Sequence, residues 1–349
     1  MDLSNIKFPT EAPEYCSPTI GADPEVFLQI GPREILEPTP KVIEAKYPLF
    51  STWDSLKSYD YKSCPVVPDG AQLEFHPAAS CCRGSFIDHI RRCFLDAQAI
   101  STTHKATLAI TPAIRLSPKC LAGLSPAAQQ FGCDPDWSAY TLHTNQNAMD
   151  ASKHPFRYGG GHVHAATSNK CYIPACALTA DMTAGLLATA MTPNVKASRA
   201  RRRRFGQAGC FREQPHGWEY RVLDNFWLLH PKLAYLFTGL VRDAEALVTH
   251  YPIKVKELLE ENGDLVRDII NEVDVESASA LWARLAPQLQ ALSPKNAQSR
   301  DVMPNGMSEL HVAPKLLPLY TERVKPEIQE KTLTQLWRLD VTNSMELSY

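Results

Sequence analysis

No stretch of this 349-residue chain sets a basic segment before an apolar one in the manner of a secretory leader, and no run approaches the length of a membrane-spanning helix. The chain is therefore expected to be cytoplasmic, with no membrane partner. An excess of either charge is also missing. Its 36 basic residues face 38 acidic ones, a net charge of −2, which argues against a dedicated nucleic-acid or membrane-surface binder. Ten cysteines are present, but no two have the C-x-x-C spacing of a zinc knuckle. In a chain without an export signal they are expected to be reduced, most of them as small buried hydrophobes. There is no internal repeat, no low-complexity segment and no glycine-rich loop followed by Lys-Ser/Thr, which removes repeat arrays and P-loop enzymes.

What remains has the composition of a globular protein, 44% hydrophobic and 21% charged. Residues 1–18, rich in Pro, Ser and Glu, read as a loosely ordered lead-in. Residues 19–250 form the expected catalytic domain, and 251–349 a mainly helical region packed on it. Four segments read as strands: Pro18 to Ile30, Ala71 to Phe75, Gly161 to Ala166 and Gly217 to Leu223. Ser85 to Ile100 has helical spacing of Phe86, Ile87, Ile90, Phe94, Ala97 and Ile100. Ala175 to Met191 reads as an apolar helix ended by Thr192-Pro193. Residues 31–68 and 105–145 read as short strands and loops. Strands and helices do not alternate strictly, so the class is α+β.

Polar residues stand two apart on each of the four strands, and residues i and i+2 share a face. The pairs are Asp23 and Glu25, Gln72 and Glu74, His162 and His164, and Glu219 and Arg221. One such pair describes any sheet with a wet face. Four pairs of carboxylates, imidazoles and a guanidinium point to one cavity, provided that the strands are neighbours in one curved sheet. Carboxylates there suit hard divalent cations, and arginines suit phosphate. Pro24 and Pro77 fit strand ends.

Two segments admit other chemistry. His162 and His164, with His216 and Glu219, suit a zinc or iron site of a hydrolase or oxygenase. Gly159, Gly160 and Gly161 allow a sharp turn or a close approach to a ligand. The run from Arg199 to Arg204 suits a solvated basic face, a nucleic-acid contact or a mobile phosphate-binding loop, and the last fits best because the run leads into the Glu219 strand.

Taken together and in order, GADPEVFL (21–28), PDGAQLEFHP (68–77), FGCDPDWSAY (131–140), RYGGGHVHAA (157–166) and FGQAGCFREQPHGWEYRVLDNFWL (205–228) resemble the phage-type carboxylate–amine ligase family. That family is a branch of the amidoligases in the glutamine synthetase and glutamate–cysteine ligase superfamily. The resemblance implies a curved, mainly antiparallel sheet that forms an active-site funnel backed by helices, a glutamine-synthetase-like fold. It implies an ATP-dependent ligase that joins a carboxylate and an amine through an acyl phosphate, with Mg2+ or Mn2+, in the host cytoplasm if the chain is viral. It makes Asp23, Glu25, Glu74, His162 and Glu219 metal ligands. Arg221 and Arg204 then bind the nucleotide phosphates with His164, and Arg221, Arg212 and Arg204 act in catalysis. Asp69 and Asp134 are candidates for accepting the amine proton. The substrates and the oligomeric state are not implied.

Overall fold

The computed structural model describes residues 1–10, 19–44, 66–129, 136–145, 151–167, 169–293 and 308–340. Asp134 and most of the loop expected between 31 and 68 lie outside the described residues.

Thirteen short strands are described. Those that build the site are β1 (Ile20–Ala22), β2 (Glu25–Gly31), β3 (Glu34–Leu36), β4 (Val66–Asp69) and β5 (Gln72–Phe75). They are followed by β6 (Thr107–Ala109), β7 (Ala113–Arg115), β8 (Asp136–Ser138), β9 (Thr144–Asn145) and β10 (Phe156–Tyr158). Last come β11 (Val163–Ala166), β12 (Cys210–Gln214) and β13 (Gly217–Tyr220). One sheet has the order β1-β11-β13-β12-β8-β9, and another the order β3-β2-β5-β4 with β6 also on β2. All these pairings are antiparallel.

The stretch expected as one strand from Pro18 to Ile30 is instead two, broken at Asp23-Pro24, and the break joins the two sheets. The amides of Asp23 and Glu25 donate to the carbonyls of His162 (3.3 Å) and Gly160 (3.0 Å), while Phe75 donates to the Pro24 carbonyl (2.9 Å). Ile20 also forms a bridge with Ser80, beyond β5. Pro24 has no amide to lose where the chain changes partners. The four polar strands are thus neighbours, in the order β5, β1/β2, β11, β13.

Period-2 alternation gives this sheet two unlike faces. Leu73, Phe75, Val163, Ala165, Trp218 and Tyr220 are buried beneath helices. Helix α1 (Arg83–Thr103) buries Phe86, Ile87, Ile90, Phe94, Ala97 and Ile100, the spacing seen in the sequence, and sets Phe94 edge-on to Phe75 at 5.0 Å. The helical stretch Lys170–Met191, α2, departs from expectation in one respect. It is long and apolar enough to cross a membrane by length and composition, but 83% of that window is buried inside the protein. It is a core helix, packed against α4 (Pro231–His250), α5 (Pro252–Glu272) and α6 (Val275–Leu292). Between α2 and α4 lies α3 (Val195–Arg202). Leu3 is buried in the same core, so this part of the lead-in is docked. Residues 308–340 pack back as well: the Trp337 ring lies 4.7 Å from Phe94, and its indole N–H donates to the Leu228 carbonyl (2.8 Å).

Under the sheet, Glu245 of α4 faces the indole of Trp218 at 3.5 Å. Burial pushes its carboxyl up to about 7, against an ordinary 4.5, although Thr167 and Trp218 pull the other way. Between those two values the folded chain holds more protons than the unfolded one, so stability falls as pH rises through the window. Glu245→Gln keeps an acceptor for Trp218 without the charge. Chemical denaturation is expected to show it more stable than wild type by roughly 2–3 kcal/mol at pH 8, and no different at pH 4.5.

Candidate functional site

The opposite face of the sheet gathers the polar residues. Glu25 stands directly across from Glu74 in the β2/β5 pairing, and His164 across from Glu219 in the β11/β13 pairing. Arg212 of β12 lies on the other side of Glu219. Among the described residues two groups bring three ligand atoms within 4.8 Å of one another: Asp23, His164 and Glu219, and Glu25, Asp69 and Glu74. Asp69 enters the second group because β4 and β5 form a hairpin in which Asp69 faces Gln72 across a turn with Gly70 at φ 55°.

Asp23 and Glu25, expected side by side on one strand face, therefore serve different groups. Asp23 lies 3.3 Å from His162 Nδ1 and 3.2 Å from His164 Nε2. Glu25 accepts from the Gly160 amide at 2.8 Å and faces Gln72 at 3.5 Å.

Electrostatics separate the two groups further. Burial alone raises the Asp23 carboxyl, but the imidazoles of His164 and His162 outweigh it and hold the group well below its ordinary value. Glu219 is also lowered: burial and Asp23 push it up, and Arg221, His162 and His164 more than cancel them. In the other group the nearby cations, Arg201 at Glu25 and Arg221 and Arg212 at Asp69, do not outweigh burial and like charge. Burial and the Asp69 charge push Glu25 up to about 8. Burial, then the charges of Asp23, Asp69 and Glu25, hold Glu74 well above its usual range. Asp69 is raised by burial and Asp23. Three carboxylates this close repel one another unless protons or a cation intervene.

Both histidines reach the site, in different roles. His164 belongs to a ligand group, whereas His162 is wedged behind it, buried, with Nδ1 3.2 Å from Glu219 and Nε2 3.4 Å from Arg201. Of the two, His164 is the imidazole in a group that could hold a cation. The ring of His164 stacks on that of His216 at 5.5 Å.

Arg221 is buried and ion-paired with Glu219 and Asp136. Arg212 is the more open of the pair, 3.7 Å from Glu219 and 4.0 Å from Asp136. Gln214 completes the set with a 2.9 Å bond to Glu219.

The arginine run does not form a mobile loop. Arg199, Arg201 and Arg202 lie on α3, with Arg201 and Arg202 buried. Arg201 donates to the carbonyls of Val222 (3.0 Å) and Arg221 (3.1 Å), and Arg202 to those of Gly206 and Val222. Arg204 is exposed, and its charge acts on His154 and Tyr158 beside β10. The glycines Gly159 and Gly161 approach protein, not a ligand. A Cβ at 159 would meet the Asn225 amide and the Thr111 carbonyl, and one at 161 the Asp224 carbonyl and Trp227.

Sequence reasoning missed Asp136, the partner of Arg221, although it sits within the quoted segment 131–140. It also missed His76, which meets Glu74 through Nε2 and continues the alternation of Gln72 and Glu74. It missed Arg201 as a buried clamp.

The fold and this donor set define an α+β protein whose antiparallel sheets carry a carboxylate-rich site flanked by guanidinium groups. Residues 142–271 match the family model of the Phage phiEco32-like COOH.NH2 ligase-type 2. Over that part the chain is similar to a phage-type carboxylate–amine ligase family, which supports an enzyme that ligates a carboxylate and an amine. It takes in His164, Arg212, Glu219 and Arg221, while Asp23, Glu25, Asp69 and Glu74 lie outside it. No curated protein matches the chain.

Proposed function

We propose that this protein is an ATP- and magnesium-dependent ligase that forms an amide bond through an acyl phosphate, on a glutamine-synthetase-like fold. The observation that carries the reading is the pair of acidic groups on adjoining strands, one of them with its carboxyls raised by burial and like charge, with Arg212 and Arg221 alongside. The donor set fits hard cations, being five carboxylates to one imidazole, and Mn2+ tolerates the imidazole better than Mg2+ does. Asp23, His164 and Glu219, and Glu25, Asp69 and Glu74, would hold the cations, which would supply positive charge against that of the nucleotide phosphates.

The chain's own residues supply the rest. Arg212 and Arg221 lie where they stabilise negative charge on phosphate and on the acyl oxygen, fixed in place before the reaction begins. Arg221 reaches substrate by exchanging one of its carboxylate partners, Glu219 or Asp136, for it. His162 and Gln214 hold Glu219 from behind. No protein nucleophile is needed. The substrates are a carboxylate and an amine.

Calorimetric titration of ATP into the protein tests this. Binding with Mg2+ that disappears in EDTA is the expected result. Binding that is indifferent to the metal, or absent with both Mg2+ and Mn2+, would sink the reading. A transition metal retained through purification by His164, without any nucleotide binding, would favour a metal-dependent hydrolase.

A further inference from the structure

Beside the acidic groups the sheet opens into a cavity of about 700 Å³. Asp23, Glu74 and His164 form the wall that it shares with them, and His76 and His216 complete its polar lining. The remaining surface is small and largely apolar, built from Thr19, Gly21 and Ala22 around β1, Ala166 of β11 and the residues just after β5. We propose that this cavity receives the amine substrate, and that this substrate is a primary amine on an aliphatic or peptide-sized body rather than free ammonia. The inference rests on the ligase reading above.

Size decides against ammonia. A group that small needs about the room of one water, roughly 30 Å³, whereas small-molecule sites run to about 300–1,000 Å³. Small side chains on consecutive strands are what leave the space open. A Cβ on Gly21 would already touch the Cβ atoms of His164 (3.5 Å) and Ala79 (3.8 Å).

Charge decides between amine and carboxylate. Among the described residues the lining contains no lysine or arginine, and its acidic groups are Asp23 and Glu74. Lys170 acts on His216 at the rim. Carboxylate and imidazole acceptors suit the N–H groups of an amine, and no guanidinium or ammonium group among the described residues lines the cavity to hold a carboxylate. The guanidinium groups of Arg212 and Arg221 lie instead on β12 and at the end of β13, across Glu219 from the cavity. The site is thus polarised, with anionic substrate groups on the arginine side and the amine on the other.

The chemistry balances with this placement. The bound ammonium loses one proton to water at the open mouth and exposes its lone pair. The C–N bond forms at the acyl carbonyl as the carbon–oxygen bond to phosphate breaks, phosphate keeps the bonding pair, and the nitrogen passes its second proton to water.

Saturation-transfer NMR on the full chain with Mg2+ tests the assignment, using pentylamine and pentanoate as length-matched probes of opposite charge. Two variants narrow the cavity away from the ligand groups: Ala166→Leu, on the His164 face of β11, and Ala79→Leu, at an exposed position that tolerates bulk. Pentylamine is expected to bind wild type at least tenfold more tightly than pentanoate, to bind both variants at least tenfold more weakly, and to stay bound when Mg2+–ATP is added. Unchanged thermal midpoints and ATP titrations show that the variants are folded, and either variant alone suffices. Pentanoate binding as tightly as pentylamine, amine binding unaffected in a folded variant, or displacement of pentylamine by Mg2+–ATP would each overturn the proposal, the last by giving the cavity to the nucleotide. If wild type binds pentylamine as described but no ATP, the ligase reading fails while the amine pocket stands.

Discussion

Magnesium affinity is expected to fall about 25-fold as pH is lowered from 8.5 to 6.5, read by titration of the nucleotide-free protein, because a proton competes for Glu25. Burial and Asp69 push this carboxyl up to about 8, so most of it is ionised at pH 8.5 and little of it at pH 6.5. A cation binds the ionised form, so its apparent affinity follows that fraction. Glu74, raised in the same direction, steepens the slope and does not reverse it. Two variants separate the contributions. Glu25→Gln removes the group that titrates in this window, so affinity drops at pH 8.5 and the dependence on pH flattens. Glu219 is held below its ordinary value and is ionised throughout the window. Glu219→Gln therefore lowers affinity by a similar factor at every pH, about 100-fold, and leaves the slope as it was. A wild-type affinity that is flat from pH 6.5 to 8.5 would mean that no cation binds against Glu25 and Glu74.

These two behaviours belong to residues that look alike in the sequence, and the difference shows what a sequence can carry. Alternation is a local property, so the pairing of Gln72 with Glu74, and of Glu219 with Arg221, on one strand face is legible without a structure. The helical spacing of Phe86 through Ile100 is local in the same way. Which strands are neighbours is not local, and neither is the exchange of partners at Pro24 that sends Asp23 to the histidines and Glu25 to Glu74. Asp136 illustrates the limit best. It lies two residues beyond Asp134, and only the β8/β12 pairing brings it to Arg221. The cost of burial is equally invisible along the chain. His162 and His164 are equivalent by spacing, yet one is sealed behind Glu219 by Arg201 and the other opens onto a cavity. The arginine run misled for the same reason. Four consecutive guanidinium groups suggest a phosphate-binding loop until a helix turns two of them inward.

Arg201→Ala is accordingly expected to destabilise the protein by roughly 3–5 kcal/mol in denaturant titrations, the cost of breaking a buried charged network. The side chain is buried and spans α3 to the end of β13, donating to the carbonyls of Arg221 and Val222. Its removal takes the donor from the buried Arg221 carbonyl, leaves that of Val222 to Arg202 alone, and takes a cation from beside Glu25 and Asp224, whose charges act on it. Gly206, at φ +63°, admits the guanidinium at close range, since a Cβ there would collide with it. Lysine does not replace the planar fork that serves both carbonyls, so Arg201→Lys is expected to recover only a minor part of the loss. Arg203→Ala and Arg204→Ala, at exposed positions, are expected to change stability by less than about 0.5 kcal/mol. The contrast separates two accounts of the same sequence. If the run served nucleic acid, all these variants would weaken a salt-sensitive complex to a similar degree and leave the fold intact. If Arg201 braces the backbone that carries Arg221 and backs His162, its loss disturbs the fold and cation binding together, and exposed neighbours leave both unchanged.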